Sequence, residues 1–569
     1  MIFNKIEISL DGLFLYENFN DLLKVTISFY NNSLKKAITS PEVCERRAQI
    51  SNWIRKYHQE CGTLTPYVED AIEKLQDGSC LFLMTAHQPN LFAYSGVLRK
   101  ASLNYVLTEK LSKILNVPVV SFFGIADQDF TDDRWVKSAL LPDVERRGGA
   151  LELRFYMPEK VMLNEVAKPS QQIVDGWRSA IESWFIGKLG SIGRFCRSMG
   201  LEFGCKDDEM TKKFEDFWRV VEEAQARADN YSDFNAFIMS KIINDVWGYD
   251  TLFSRFSECQ QVFESEFCFL LSNFNEYSRY VKEITSSKKV EGGVYEHEYD
   301  TLPFWYHCDC GGKVRLMAED QDRPFVGRGQ CLRCKKEYRI DFHSKREPKI
   351  SGILSRISAR SLSMPMVFFD GLKVCSYIGG VGGKGYLRQA KYVAERLGIA
   401  FPPVVLWRPK DFYLGVGQLD ALMRYEEFSG TFDLSKYSEV MAKLRDEVSR
   451  VDEEVEELEL KKESIIRDVG MKKEDKNEKI KAISIKQTKI RKESDFPVLA
   501  RNLRILENVD SVMRLHSCMV DYAVNIGLKS TSEQWLAFLM DNGRLTSNVS
   551  LQSGFDDLFQ LIESRICNQ

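Results

Sequence analysis

The fold of this chain is decided by residues 81–130, which read LFLMTAHQPNLFAYSGVLRKASLNYVLTEKLSKILNVPVVSFFGIADQDF. The stretch opens with an apolar run over 81–84 that is short enough for a buried strand, and a polar turn over 85–90 follows it. A helical pattern with apolar side chains on one side covers 95–115, and a second apolar run covers 119–125. This succession predicts a β-α-β unit with parallel strands and a right-handed crossover.

Polar side chains follow each predicted strand at the point where it ends. His87, Gln88 and Asn90 follow the first strand, and Asp127 and Asp129 follow the second. In open α/β sheets, ligands bind outside the carboxyl ends of the strands. The sequence therefore predicts that these five residues share one site. A histidine that only satisfies hydrogen bonds at a strand end is the alternative for His87.

A glycine-rich turn is predicted to complete this site. The apolar run 374–378 leads into GGVGGKGY at 379–386, a helical pattern over 387–397 and a last apolar run that ends at Arg408. Glycines let backbone amides approach an anion, and the following helix adds its positive end. A tight strand–helix junction is the alternative. The residues expected to bind a phosphate or a carboxylate are Gly379, Gly380, Gly382, Gly383 and Lys384.

Together, these motifs resemble the cysteine-adding enzymes of bacillithiol biosynthesis. The resemblance lies in TAHQPNLF at 85–92, Lys100 in the helix, DQDF at 127–130 and the glycine turn. The chain departs from that pattern with Gly383 where the family has Glu. The resemblance implies a Rossmann-like core interrupted by an insertion, adds Lys100 to the substrate- or nucleotide-binding residues, and makes an adenine nucleotide the candidate ligand. It also implies a C-terminal coiled coil used for dimerisation.

Two cysteine pairs form the sharpest motif of the predicted insertion. Cys308 and Cys310 are separated by one residue, and Cys331 and Cys334 by two. Paired thiolates in short turns suit tetrahedral zinc, and four protein ligands leave no open position, so the sequence predicts a structural zinc ribbon. His307 in place of Cys308 is an alternative ligand, and four reduced cysteines without a metal are another alternative.

The last third of the chain carries apolar residues at 3-4 spacing among many Glu and Lys residues. The pattern covers 444–465, a polar reversal covers 470–479, and the pattern resumes over 480–490. It predicts an antiparallel coiled-coil hairpin and, through it, a homodimer.

The predicted protein is thus α/β, with a Rossmann-like parallel sheet interrupted by a helical insertion that carries a zinc ribbon, and with a C-terminal α-helical coiled-coil hairpin. The predicted divisions are 1–136 for a helical lead-in and the first half of the core, 137–350 for the insertion with its ribbon at about 304–342, 351–430 for the second half of the core, 431–515 for the hairpin and 516–569 for C-terminal helices.

Composition narrows the classes of partner. The net charge of −4 gives no general attraction to nucleic acid or anionic lipid. The sequence shows no signal peptide, and its apolar runs are shorter than the roughly 20 residues needed to span a bilayer. We therefore expect a cytoplasmic protein with no membrane partner and no nucleic-acid partner, whose lone cysteines are reduced.

The leading functional hypothesis is an amide-forming ligase that condenses an amino acid, by resemblance cysteine, onto the amine of a small-molecule acceptor. His87 is the expected base or phosphate contact, and Asp127 or Asp129 is expected to hold the incoming ammonium group. The alternatives are a non-catalytic scaffold built on a degenerate nucleotide-binding fold, and a synthetase-like protein that acts with tRNA.

Overall fold

The computed structural model describes residues 16, 18–203, 207–286, 300–320, 326–344, 347–406, 411–541, 544–545 and 547–567. Arg408, which the sequence predicts to end the last strand of the core, lies outside the described residues. Within them, no helix is long and apolar enough to cross a membrane.

The strands of the described residues group into two five-stranded sheets and three strand pairs. In chain order they are β1 Leu81–His87, β2 Val119–Ile125, β3 Ser138–Pro142, β4 Ala150–Arg154, β5 Leu252–Arg255, β6 Thr301–His307, β7 Lys313–Ala318, β8 Val326–Cys331, β9 Glu337–Asp341, β10 His343–Ser344, β11 Glu347–Pro348, β12 Ile357–Ala359, β13 Val374–Gly379, β14 Val404–Leu406, β15 Asp411–Phe412 and β16 Val549–Ser550.

Helices make up most of the remaining regular structure, and short 3₁₀ and π turns extend or join some of them. The α-helices are α1 Phe19–Phe29, α2 Pro41–Cys61, α3 Pro66–Gln76, α4 Ser95–Leu115, α5 Arg134–Lys137, α6 Gln171–Ser198, α7 Asp207–Arg227, α8 Tyr231–Ser240, α9 Phe256–Cys259, α10 Glu264–Ser272, α11 Phe274–Ser286, α12 Ser363–Leu372, α13 Lys384–Arg396, α14 Val416–Ser429, α15 Tyr437–Arg467, α16 Lys473–Glu493, α17 Phe496–Leu506, α18 Val509–Met513, α19 Met519–Asn525, α20 Leu528–Met540 and α21 Asp556–Cys567.

The central sheet is fully parallel, with strand order β14-β13-β1-β2-β5. If its strands are numbered along the chain, the order reads 3-2-1-4-5 from the β5 edge. All of β2 and nearly all of β1 is buried, as expected for strands covered on both faces. The predicted β-α-β unit is confirmed: β1 and β2 are parallel neighbours, and α4 connects them with the predicted bounds.

β1 is longer than the sequence predicts. Residues 85–87, expected in a turn, belong to the strand, because Thr85, Ala86 and His87 pair with the last three residues of β2. The Thr85 hydroxyl also donates a hydrogen bond of 2.8 Å to the carbonyl of Ile378 in β13. Pairing on both edges extends the strand past its apolar run and places His87 at its end.

An antiparallel sheet of order β12-β6-β7-β8-β9 carries the four cysteines. It shares one apolar core with the central sheet: Phe304 and Leu316 belong to the same buried cluster as Phe82 and Met84 of β1. The two sheets therefore do not form separate bodies, and the cysteine-bearing sheet packs beside the core strands.

The predicted insertion 137–350 is not separate from the core, because β5 lies between its helices α8 and α9 and pairs with β2 at the edge of the central sheet. Helices α6 to α11 make up most of the rest of residues 171–286, and the aromatic residues expected in their core are buried, namely Trp177, Trp184, Phe214, Phe217 and Trp218. Farther along the chain, α15 and α16 fold back on each other. Val455 and Leu458 of α15 are buried there, and Gln487 of α16 donates a hydrogen bond of 3.1 Å to the Val455 carbonyl. The last helices pack on the body, where Trp535 is fully buried.

A buried histidine joins α2 to the edge strand β5. The Nε2 atom of His58 accepts a hydrogen bond of 2.9 Å from the Phe253 amide, and Nδ1 lies 2.7 Å from the Thr63 hydroxyl. Burial lowers the pKa of His58 to about 3, whereas a histidine of the unfolded chain titrates near about 6.5. The neutral ring therefore stabilises the fold fully above about pH 6.5, and this contribution is lost as the pH falls toward about 3.

We predict that His58→Gln lowers the free energy of unfolding at pH 7 by about 1–3 kcal/mol, because the glutamine oxygen can replace Nε2 as acceptor for the Phe253 amide but no atom replaces Nδ1 beside the buried Thr63 hydroxyl. The variant should also lose less stability than the wild type between pH 6.5 and pH 4. Urea denaturation at several pH values measures both effects. His343→Gln is the control, since the His343 side chain is 41% exposed. Equal pH slopes for wild type and His58→Gln would contradict the assignment.

Candidate functional site

A cleft of about 820 Å³ opens where the carboxyl ends of β1, β2 and β13 meet. This is the position expected for a ligand site in an open parallel sheet. The strand order reverses at β1, with β2 on one side and β13 on the other, and a crevice opens at such a reversal. The predicted site residues that line it are His87, Gln88, Lys100, Asp129, Gly379, Gly380, Gly382 and Gly383.

The other three predicted residues do not line the cleft. Asp127 is fully buried, and its carboxylate accepts a hydrogen bond of 3.1 Å from the Ser257 amide. Asn90 is also buried, at 1% exposure. Lys384 begins α13, and the glycines before it line the cleft in its place. The chain turns after β2, where the Asp129 amide donates a hydrogen bond of 3.2 Å to the Ala126 carbonyl, and this turn leaves Asp127 buried and Asp129 exposed at the cleft.

Lys100 and the glycine turn form one pole of the cleft, which we call the anion pole. The Lys100 ammonium donates a hydrogen bond of 3.2 Å to the Ala86 carbonyl at the end of β1. A side chain added at Gly380 would place its Cβ atom 3.5 Å from Lys100 Nζ. The turn's backbone, the positive end of α13 and Lys100 therefore lie together, and they suit a phosphate or a carboxylate.

Burial lowers the pKa of Lys100 to about 7, since only 5% of the residue is exposed. Its amine therefore exchanges protons near neutral pH, which suits either anion binding or acceptance of a proton. Burial and the neighbouring Lys100 charge lower the pKa of His87 to about 3, so His87 is neutral. Its Nδ1 lies 2.8 Å from the Gln88 carbonyl, which can only accept, so the proton resides on Nδ1 and Nε2 is an acceptor.

Asp129 supplies a carboxylate to the same cleft, and we call this position the acidic pole. The Asp129 carboxylate is open to the cavity but is surrounded by the walls of the cleft, and this desolvation raises its pKa, whereas the nearby Lys313 ammonium counteracts that rise. Asp133 lies on the same rim, where its carboxylate accepts a hydrogen bond of 2.8 Å from the side-chain amide of Gln88. A carboxylate in this position suits the ammonium group of a ligand. The cleft thus offers sites of both charges within one cavity.

Sequence reasoning missed the residues that come to the cleft from outside the parallel sheet. The antiparallel sheet and the loop after it contribute Trp305, Lys313 and Arg360, and the Arg360 guanidinium lies 4.0 Å from the centre of the Trp305 ring. The C-terminal region contributes Asp411 and Tyr522. No local motif marks these residues. The sequence shows only that Lys313 follows Cys310 by three residues, which does not indicate that its side chain reaches the cleft.

A paired network fixes the wall that the C-terminal region supplies. Arg99 of α4 forms a buried salt bridge with Asp411, and the Tyr522 hydroxyl donates a hydrogen bond of 3.0 Å to the same carboxylate. Tyr522 is also 2.9 Å from the Ser95 hydroxyl. Asp411 is therefore paired within the wall, whereas Asp129 and Asp133 line the cavity at the acidic pole.

The four cysteines lie together on the antiparallel sheet. Their sulfur atoms are all within 4.8 Å of one another, close enough to bind a metal ion. Two tight turns present them, with backbone hydrogen bonds from Gly311 to Cys308 and from Lys335 to Cys331. His307, the alternative ligand, is not part of the cluster: its Nε2 lies 2.9 Å from the Ser358 hydroxyl. All-thiolate donor sets of this size suit zinc.

Comparison with known proteins adds no family to this description. No protein-family model matches the chain, and no curated protein matches it.

We predict that limiting acetic anhydride at pH 7 acetylates Lys100 faster than exposed Lys113, because a pKa of about 7 leaves much of the Lys100 amine unprotonated. Gly380→Asp should reduce this labelling roughly tenfold by raising the pKa of Lys100 through a nearby carboxylate. Gly380→Asn, of equal size without the charge, is the matched control. Mass spectrometry of tryptic peptides measures the labelling, and equal labelling in both variants would exclude the electrostatic coupling.

Proposed function

We propose that the protein is an amide-forming ligase that joins the carboxyl group of an amino acid, cysteine by motif resemblance, to the amine of a small-molecule acceptor. One observation carries the proposal: a single cleft combines an anion pole at Lys100 and the glycine turn with an acidic pole at Asp129. An amino acid presents both charges, and activation of its carboxyl group requires a phosphate-bearing partner, for which an adenine nucleotide is the candidate.

The topology supports a Rossmann-like interpretation of the core. The strand order 3-2-1-4-5 matches five of the six strands in the 3-2-1-4-5-6 order of dinucleotide-binding sheets, whose ligands lie at the crevice beside the first strand. Here that crevice separates β1 from β13, and the glycine turn follows β13 directly. The turn and the positive end of α13 would hold the phosphate group, as at other strand–helix junctions of this kind.

The bond-forming step needs a base that removes a proton from the attacking ammonium group. Lys100 suits this role better than His87, because a pKa of about 7 is close to the working pH and a pKa of about 3 is far below it. His87 would then accept a hydrogen bond through Nε2 and orient the amine. The amine attacks the activated carbonyl carbon, the amide bond forms, and the phosphate-bearing group departs with the former carboxyl oxygen.

We further propose that the four cysteines bind one structural zinc ion in a ribbon. Four thiolates complete a tetrahedral shell and leave no position for substrate, so the ion would serve the fold and not the chemistry. The Tyr338 hydroxyl lies 3.0 Å from the Cys308 sulfur and would donate a hydrogen bond to that thiolate.

We predict that isothermal titration calorimetry detects binding of ATP and of cysteine to the wild type. Gly380→Asp should weaken ATP binding at least about tenfold by placing a carboxylate beside the phosphate site, and Asp129→Ala should weaken cysteine binding by a similar factor. Each variant should retain the other ligand. Asp132→Ala is the matched control, because the Asp132 carboxylate bonds the Lys160 amide and does not line the cleft.

A wild-type protein that binds neither ligand would overturn the ligase proposal and favour the scaffold alternative. Binding of tRNA without binding of free cysteine would favour the synthetase-like alternative. Mass spectrometry of the metabolites of a deletion strain and its parent would identify the acceptor: a thiol label reveals the cysteinyl amide that the deletion strain lacks, and unlabelled samples reveal the amine that accumulates.

The helical hairpin of α15 and α16 is the proposed dimerisation element, with the character of a coiled coil. Val455 and Leu458 are buried between the two helices, whereas Leu460, Ile466 and Ile485 are each about 60% exposed. Exposed apolar side chains on a charge-rich hairpin suit a second copy of the same hairpin.

We predict that the double variant Leu460→Glu/Ile485→Glu shifts the mass measured by light scattering from dimer to monomer, because it places charges in the apolar contact. Lys461→Glu, at a neighbouring exposed position, should leave the mass unchanged. A wild type that is already monomeric would contradict the dimer. The hairpin would then pack only within its own chain or bind a different protein.

A further inference from the structure

The first cysteine turn is hydrogen-bonded to a segment that also holds the acidic turn of the cleft. We call residues 308–312 the cysteine turn, 161–164 the brace and 127–131 the acidic turn. The Met162 amide of the brace donates a hydrogen bond of 2.8 Å to the Gly311 carbonyl of the cysteine turn. The next amide, that of Leu163, donates one of 3.0 Å to the Asp129 carbonyl.

Further contacts bind the brace to the acidic turn along its whole length. The Asn164 amide donates a hydrogen bond of 2.9 Å to the Asp127 carbonyl, and the Thr131 amide donates one of 3.0 Å to the Val161 carbonyl. The Asn164 side chain reaches the Asp127 carboxylate at 3.3 Å. The brace thus lies between the cysteine turn and the acidic turn, bonded to both.

The backbone of the cysteine turn packs closely against the brace and against Glu165, the residue that follows it. Gly311 has a φ of +80°, which favours glycine, and a Cβ atom at this position would lie 3.1 Å from the Glu165 side chain and 3.4 Å from that of Val161. A displacement of the turn would therefore reach the brace directly, through packing as well as through the hydrogen bond.

The same turn sets the position of a cleft residue. β7 begins at Lys313, directly after the turn, and Lys313 is 5% exposed and lines the cleft. Its ammonium lies 5.1 Å from the centre of the Phe130 ring in the acidic turn, and the Phe130 ring in turn meets the Trp305 ring edge-on at 6.0 Å. Lys313 is thus held beside Asp129 by the start of β7.

We propose that the metal ion at the four-cysteine cluster positions the acidic pole of the cleft: it fixes the cysteine turn, which holds the brace and the acidic turn in place and presents Lys313 to Asp129. Lys313 and the cluster are positioning elements, since neither needs to touch the reacting atoms. The proposal rests on the metal-binding part of the proposed function and is independent of the reaction assigned to the cleft. It predicts that metal loss alters the cleft and not only the ribbon.

Hydrogen-exchange mass spectrometry on the full-length protein tests this coupling. The wild type should contain about one zinc per chain, and Cys334→Ser should lose it. Exchange in the brace and the acidic turn should then rise about tenfold, whereas the strands β1 and β2 and the glycine turn should exchange as in the wild type. Cys44→Ser, at a half-buried cysteine outside the cluster, is the matched control and should retain zinc and protection.

A reciprocal measurement keeps the proposal testable if Cys334→Ser unfolds more broadly. Coupling between two sites acts equally in both directions, so loosening the acidic turn must weaken metal binding. Asp127→Ala removes the carboxylate contacts to Ser257 and Asn164 and should lower zinc affinity about tenfold in competition with a chromogenic chelator. Asp133→Ala, whose carboxylate contacts Gln88 and not the brace, should leave zinc affinity unchanged.

Three results would overturn the proposal. They are faster exchange confined to residues 304–341 after zinc loss, equal zinc affinity in the wild type and Asp127→Ala, and a wild type that contains no metal. The last result would leave the calorimetric test of the ligase proposal intact, because that test does not involve the cysteines. If the wild type binds neither ATP nor cysteine but zinc loss still loosens the acidic turn, only the ligase proposal is rejected.

Discussion

The structure depends on the hydrogen bonding of β1 along both of its edges. One edge pairs with β2, which follows closely in the chain, and the other pairs with β13, which follows only after the whole insertion. Parallel pairing forces the carboxyl ends of all three strands to one edge of the sheet. The helical insertion and the antiparallel sheet must therefore return the chain to β1 in register, and the cleft exists only once they have done so.

This constraint also explains the charge distribution of the cleft. Lys100 is carried by the helix that follows β1, and the glycine turn follows β13, so pairing of the two strands places an ammonium group beside a turn of backbone amides. Burial of that cluster lowers the pKa of Lys100, because an ammonium group loses its hydration there. Asp129, in the acidic turn after β2, lines the same cavity. The cavity therefore has lining groups of both charges.

The antiparallel sheet gives this cleft a wall that a bare parallel sheet lacks. Its strands share an apolar core with β1, and it contributes Trp305 and Lys313 to the cavity. The glycine turn departs from the resembled family at Gly383, whose Cβ position is crowded by the Tyr386 hydroxyl at 3.1 Å. A longer side chain at this position would need Tyr386 to move.

The sequence by itself determined the helices, strands and turns that depend only on residues a few positions apart in the chain. Apolar periodicity predicts α4 and β2 with the bounds observed, and cysteine spacing predicts which four thiols assemble, because a helix face, a strand and a turn are set by residues a few positions apart. Polar residues after the strands likewise indicate where a site lies, which identified His87, Asp129 and the glycine turn.

Only the tertiary structure decided which of those polar residues face the cavity. Asp127 and Asp129 look equivalent in the sequence, but Asp127 is bound by Ser257 and Asn164 while Asp129 is exposed in the cleft. The ends of β1, the pKa of Lys100, and the arrival of Lys313 and Arg360 at the cleft all depend on contacts between segments far apart in the chain. Such contacts follow from strand register and core packing, and neither leaves a periodic signal in the residues concerned.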